Sequence, residues 1–247
     1  MVTRADSLED ILERGSVRIG VAEFVPWTFR NRDGNLEGFE IDVGNLIAAD
    51  MGVDADFRVY SLDDLFNAIN AGEIDIIAAG LAITPGRALQ VEFSIPYQSS
   101  GTTLVASKKL APGAAGVYDL NKPGYTIMTV ADTFSAGVAL EIYDVAAIKV
   151  VADGPAAEKE LVQGRAHGYM TSIADAGILV GHYPEQVYLP ASEPVVGSVA
   201  GLAVKRGNQT LLNFLNAWIA ANTANRWLPA SHDYWFSGYD WAVNSQQ

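Results

Sequence analysis

Residues 74–97 read Ile-Asp-Ile-Ile-Ala-Ala-Gly-Leu-Ala-Ile-Thr-Pro-Gly-Arg-Ala-Leu-Gln-Val-Glu-Phe-Ser-Ile-Pro-Tyr. The stretch opens as a buried strand, because Ile74, Ile76, Ile77, Ala78 and Ala79 form an apolar run too short for a globular helix. Gly80 breaks it. Thr84 followed by Pro85 has the pattern of an N-cap and first helical position. Arg87 is then predicted in a first helical turn, where the dipole disfavours a cation and exposed N–H groups favour an anion. No acidic residue stands among residues 83–91 to answer that charge locally. A guanidinium beside free backbone donors suits a carboxylate ligand, and a distant Asp or Glu is the alternative partner.

Outward from this stretch the chain alternates strands and helices. Leu8–Arg14 is predicted as a short helix behind a Ser7/Asp10 capping box, and Val17–Ala22 as a strand. Phe24, Pro26, Trp27 and Phe29 follow just past that strand's end, where open α/β sheets bind ligands; these aromatics suit either a pocket or a core. Residues 38–51 are predicted helical, 53–60 a strand, and Ser61 caps a helix whose buried stripe is Leu62, Leu65, Phe66 and Ile69. The αβαβαβ order implies a mainly parallel sheet covered by helices.

A second α/β unit follows the strand 102–106 and the Lys108, Lys109, Pro112 break. It comprises a strand at 124–130, a helix to Tyr143 capped by Asp132 or Thr133, a strand at 147–151, a helix at 156–162 and a strand at 164–171. Residues 70–77 and 163–170 occupy matching places in the two units. Residues 198–205 form a strand able to return the chain to the first unit, ahead of an amphipathic helix carrying Leu211, Leu215 and Trp218. Trp227, Trp235, Phe236 and Trp241 are expected to hold the terminal segment onto the body.

Composition narrows the function. The chain has 247 residues, 49% of them apolar, and a net charge of −13. That acidity argues against nucleic-acid binding, which needs clustered Lys and Arg. No apolar stretch approaches a membrane helix. There is no cysteine, and the three histidines, His167, His182 and His232, show no metal spacing. No cofactor or metal is expected. The first residues carry no apolar signal region, so the expectation is a cytosolic protein or a mature form whose export signal was removed.

Three segments resemble the family-3 extracellular solute-binding proteins of polar amino-acid ABC importers. These are Leu8-Glu-Asp-Ile-Leu-Glu-Arg-Gly-Ser-Val-Arg-Ile-Gly-Val21, Gly38-Phe-Glu-Ile-Asp-Val43, and Thr84-Pro-Gly-Arg87 with Phe93-Ser-Ile-Pro-Tyr97. The resemblance implies an α/β, two-lobed periplasmic-binding-protein clamshell of type II, with mixed, mostly parallel sheets, flanking helices and two crossover strands near Ser107 and Leu202. Lobe one would be 1–107 plus 202–247, and lobe two 108–201. Arg87 would grip a ligand carboxylate, aided by the helix start at Thr133 and Phe134. Phe24 would supply an aromatic lid and Leu62 a wall; Trp27, Gly80, Leu81, Ala82, Asp132 and Ser172 are the further expected ligand contacts.

The implied partners are a small carboxylate-bearing solute, an amino acid or amino-acid-like compound, and the transmembrane permease subunits of an ABC importer. A monomer is expected, working in the periplasm or as a lipid-anchored extracellular protein. Relatives usually place Ser or Thr where Ala82 stands, an ammonium-binding Asp where Ser172 stands, and glycine where Asp132 stands. The ligand therefore either lacks a primary α-ammonium or meets its negative charge at Asp132, Glu23 or Asp175. The resemblance also admits a cyclohexadienyl-dehydratase-like enzyme with Asp175 as acid, and a ligand-sensing domain of a signalling system.

Overall fold

The computed structural model describes residues 8–191 and 193–236. The chain divides into two compact units, one holding residues up to Ser99 and from Val199 onward, the other Ser100–Ser198. The divisions expected near Ser107 and Leu202 thus lie earlier. Residues 102–106 pair antiparallel with Gly168–Ser172 along their whole length, which ties them to the second unit's sheet. Val199 accepts from the Ile83 amide at 2.9 Å, which ties that residue to the first.

In the first unit α1 (Leu8–Arg14) leads into β1 (Ser16–Val21). The hairpin β2 (Phe29–Arg30) and β3 (Leu36–Glu37) brings the chain to α2 (Phe39–Met51), which ends where Gly52 takes a left-handed φ of 71°. Then come β4 (Asp54–Val59), α3 (Leu62–Ala71), β5 (Ile76–Ile77), the single turn α4 (Pro85–Ala88) and β6 (Glu92–Phe93). Ser61 caps α3 by accepting from the Asp64 amide, as its spacing predicts. The long crossover strand β7 (Gln98–Ser107) enters the second unit.

There a 3-10 turn at Val117–Leu120 precedes β8 (Thr126–Val130), α5 (Phe134–Ile142), β9 (Ala147–Val151), α6 (Gly154–Val162) and β10 (Gly168–Ser172). The helix α7 (Ile173–His182), not anticipated from sequence, follows at once, then β11 (Val187–Tyr188). The chain returns through β12 (Val196–Ala200) to β13 (Ala203–Val204), α8 (Gln209–Ala224) and α9 (Trp227–Phe236). The single strand expected over 198–205 is broken in two because Gly201 turns its amide to the Leu81 carbonyl.

The main sheet of each unit is mixed. The first runs β4-β1-β5-β13-β6, with β4, β1 and β5 parallel and β13 antiparallel to both its neighbours. The second runs β11-β7-β10-β8-β9, with β12 also on β7; here β10, β8 and β9 are parallel and β7 runs against them. Successive residues alternate faces. Leu104, Ile127 and Met170 pack on one side with Ala139 of α5, and Val105, Met128 and Tyr169 on the other with Ala157 and Leu161 of α6. Helices on both faces let parallel strands be apolar throughout. In the first unit α3 lays Leu65, Phe66 and Ile69 onto Ile74, Ile77 and Leu81.

The terminal aromatics do hold the end of the described chain in place. Trp235 is buried and donates to Asp42 at 2.8 Å, Trp218 donates to Asp50 at 2.8 Å, and Phe236 packs against Trp27 and Phe39. Ser7 and Trp241 lie outside the described residues.

Candidate functional site

The expected sites fall on both units. In the first, the segment Gly80–Ile83 leaves β5 and runs beside the return strand: Ala82 bridges Ala200, and the Ile83 amide reaches Val199. Arg87 is fixed to that segment, since its Nη1 donates to the Ala82 carbonyl at 3.0 Å. Thr84 caps α4 by accepting from the Arg87 amide at 3.2 Å, as the Thr-Pro pattern predicts. The helix, however, is one turn of four residues. A dipole of that length is small, so the segment's lacing, rather than a helix field, is what positions Arg87.

Gly80 sits under unusual constraint. Its φ is +56°, and a Cβ there would stand 2.6 Å from Cδ2 of Trp27, so the peptide lies directly on the indole. Its amide donates to Oε1 of Glu40 at 2.7 Å, and the Tyr97 hydroxyl donates to the same oxygen. Glu40 is fully buried, and its other oxygen, Oε2, makes no hydrogen bond among the described residues. Burial pushes its carboxyl up to about 7, against the pull of the Tyr97 and Gly80 hydrogen bonds. Burial and the adjoining Glu40 likewise raise Tyr97.

Of the other expected contacts in this unit, Trp27 is buried and packs edge-on against Phe39 at 5.8 Å and Phe236 at 4.7 Å. It is a core residue and the seat of Gly80. Leu81 is 1% exposed within the α3 cluster, leaving only its backbone near the edge. Leu62 begins α3, half-buried against the same cluster. Phe24 is half-buried and pairs its backbone with Thr28. Glu23 is ion-paired with Arg30 at 2.8 Å.

In the second unit Thr133 caps α5: its hydroxyl accepts from the Ala136 amide at 3.1 Å and donates to the Val130 carbonyl at 2.8 Å. That hydroxyl proton is therefore already committed, and the donors α5 offers an anion are its first backbone N–H groups, at Phe134 and the next residue, which have no intrahelical acceptor. Asp132, just before, holds a left-handed φ of 61° and is exposed. That backbone accounts for the glycine expected there, and Asp is among the residues that tolerate it best. Ser172 caps α7 by accepting from the Asp175 amide at 3.1 Å. Asp175 accepts from Thr171 at 2.7 Å, and burial raises its pKa despite that bond. Among the described residues no group of three or more His, Asp or Glu could hold a metal.

The model of the bacterial extracellular solute-binding proteins, family 3, matches residues 17–238. The chain belongs to that family. The L-cystine-binding protein TcyJ of Escherichia coli K12 is 25% identical over 236 residues, covering 93% of this chain and 85% of its own. The crystal structure of the ancestral amino acid-binding protein AncCDT-1, a precursor of cyclohexadienyl dehydratase, matches 94% of this chain and 100% of its own at TM-score 0.85 and 30% identity. A putative ABC-transporter binding component from Wolinella succinogenes, complexed with lysine, matches 93% and 99% at TM-score 0.88 and 25% identity. The fold class is thus that of the two-lobed periplasmic binding proteins, and family membership implies work outside the cytoplasm.

Sequence reasoning missed Glu40 and Tyr97 as parts of the site's support. A signal was available: an acid set between Phe39 and Ile41 at a helix start, once buried with them, needs a partner.

Proposed function

We propose that the protein captures a small carboxylate-bearing solute, an amino acid or amino-acid-like compound, and delivers it to the transmembrane subunits of an ABC importer. The observation that carries this reading is Arg87. Nη1 of its guanidinium is tethered to the Ala82 carbonyl, on a segment laced to the return strand, and the sequence resemblance assigns this arginine to a ligand carboxylate. The donors of a guanidinium lie in a rigid fork that suits a carboxylate. The first N–H groups of α5, after Thr133, are the donors that the sequence resemblance assigns to a ligand carboxylate in the second unit. A ligand bonded to both units stabilises the state in which both reach it, which is what closure requires.

The cation end of the ligand meets less. Ala82 and Ser172 bring no charge, Glu23 is paired with Arg30, and Asp175 is bonded to Thr171. The ligand then lacks a primary α-ammonium or meets its missing negative charge at Asp132, Glu23 or Asp175. A thermal-shift screen over L-lysine, L-arginine, L-glutamine, L-cystine, betaines, polyamines and simple carboxylates distinguishes these. A ligand at about 100 times its dissociation constant adds roughly 2.7 kcal/mol of stability. The hit is then repeated on Arg87→Ala: a loss of about 10- to 100-fold in affinity is expected, and unchanged affinity sinks the carboxylate reading.

A second reading, dehydratase-like catalysis, draws on the raised pKa of Asp175, which is one requirement of a general acid. Its carboxylate is held by Thr171, which favours a structural role. Product formation from prephenate or arogenate, lost in Asp175→Asn, would establish catalysis; none is expected.

A further inference from the structure

We propose that Glu40 is a positioning residue for the ligand: it fixes the Gly80 peptide, and through it the Gly80–Ala82 edge that anchors Arg87, without touching the ligand itself. The inference rests on the reading that this edge binds the solute. Two routes run from Glu40 to Arg87. The first is direct, from Oε1 through the Gly80 amide to Ala82, whose carbonyl holds Nη1 of Arg87. The second passes through Tyr97, whose hydroxyl bonds Glu40 while its amide donates to the Ala200 carbonyl at 3.1 Å; Ala200 in turn bridges Ala82. Trp27 closes the far side of Gly80, so the peptide is trapped between an indole and a carboxyl.

Both hydrogen bonds converge on one oxygen while the other is buried and unbonded. An ionised carboxylate would leave a charged oxygen without solvent or donor, whereas the neutral acid keeps both bonds to its carbonyl oxygen at less cost. Tyr97 is the titratable side chain bonded to Glu40. On the elements packed nearby, α9 places His232 edge-on to Phe39 at 6.1 Å, and Asp42 of Glu40's own helix is bonded by Trp235. The proton on Glu40 therefore reports on, and acts through, the Gly80 peptide.

The experiment uses the full chain labelled with 15N and 13C, with L-lysine as the probe. In the wild type the Gly80 amide shift should titrate together with the Glu40 carboxyl carbon, and in Glu40→Gln it should be flat. Lysine affinity should change by about threefold or more between about pH 6 and pH 8 in the wild type and not in Glu40→Gln. Weakening at high pH places the ligand's carboxylate beside Gly80, and tightening places its ammonium there. Glu40→Ala should weaken binding by about tenfold, with Gln restoring it to within about threefold. A Gly80 amide indifferent to Glu40, or wild-type affinity in a folded Glu40→Ala, overturns the proposal. Should Glu40→Ala not fold, Tyr97→Phe, which removes one of the two bonds, takes its place. A wild type that ignores lysine and the wider screen counts against the solute reading alone, and the Gly80 titration still decides the positioning.

Discussion

The two units hold their candidate contacts in different ways. Around Gly80 and Arg87 the first unit depends on partners far away in sequence: Glu40, Trp27, Tyr97 and Ala200. In the second unit Thr133 and Ser172 are held by residues three positions off, as caps of their own helices. A locally held contact can be changed without disturbing its neighbours. A contact held at long range transmits any change to the whole edge. The first unit is therefore expected to be brittle and the second tolerant.

A second contrast, in charge rather than in sequence range, lies at the matching strand starts. Asp75 and His167 both follow a left-handed glycine, Gly72 or Gly164, and each accepts a backbone amide from the neighbouring strand, from Arg18 at 2.8 Å and from Thr126 at 3.1 Å. Asp75, however, is buried and also binds the guanidinium groups of Arg14 and Arg18, both at 2.5 Å. Removing a buried carboxylate strands its partners, so Asp75→Ala should cost about 3 kcal/mol in urea unfolding. His167→Ala loses one hydrogen bond and the stack of the imidazole on Tyr125, and should cost about 1.5 kcal/mol. Equal losses would break the comparison.

Protons should act in opposite directions at two residues, Glu40 in the first unit and His167 in the second. Glu40 is raised from 4.5 to about 7, so the folded state holds its proton more tightly. Its contribution is full below the unfolded value, declines as pH rises, and is gone above about 7, a loss of about 3 kcal/mol at 1.36 kcal/mol per unit. His167 is lowered from 6.5 by burial, so its contribution is present above 6.5 and is lost as pH falls. Stability against pH for wild type, Glu40→Gln and His167→Gln separates these, and a wild-type profile identical to that of Glu40→Gln removes the first.

The same substitution should also change sign between units. Gly80→Ala meets Trp27 at a positive φ and should cost about 2–3 kcal/mol and abolish ligand binding. Gly137, exposed within α5 with nothing near its absent side chain, should gain up to about 1 kcal/mol as Ala. Thr133→Ala and Ser172→Ala should each cost about 1 kcal/mol as lost caps, and the double mutant should be additive, since each cap bonds only its own segment. Non-additivity beyond about 0.5 kcal/mol would show that the second unit is not locally organised.

This division also explains what could be read from the sequence. Capping by Ser61, Thr84 and Thr133 was legible because donor and acceptor are three residues apart. The α/β order was legible from apolar periodicity. The bonds Gly80–Glu40 and Tyr97–Glu40 span 40 and 57 residues, and no local pattern encodes them. For the same reason Trp27, read as either pocket or core, resolved only when Phe39 and Phe236 were seen against it. Helix α7 escaped because it follows β10 without a loop, its cap Ser172 being the strand's last residue.

The smallest stability effect carries the most information about the ligand. Asp132 holds φ 61°, so Asp132→Gly relieves about 1 kcal/mol of backbone strain while adding a similar entropy to the unfolded chain. Its net effect on stability should stay within about 0.5 kcal/mol. The carboxylate it removes, though, stands next to the start of α5, where the ligand's carboxylate is proposed to bind. If the solute has no ammonium, losing that negative charge lessens repulsion and affinity rises. If an ammonium uses Asp132, its partner is gone and affinity falls, by about tenfold for a charge-assisted bond. An unchanged stability lets either shift be read as electrostatics, so a fall in affinity assigns an ammonium to Asp132, and a rise leaves a plain carboxylate or an ammonium held at Glu23 or Asp175.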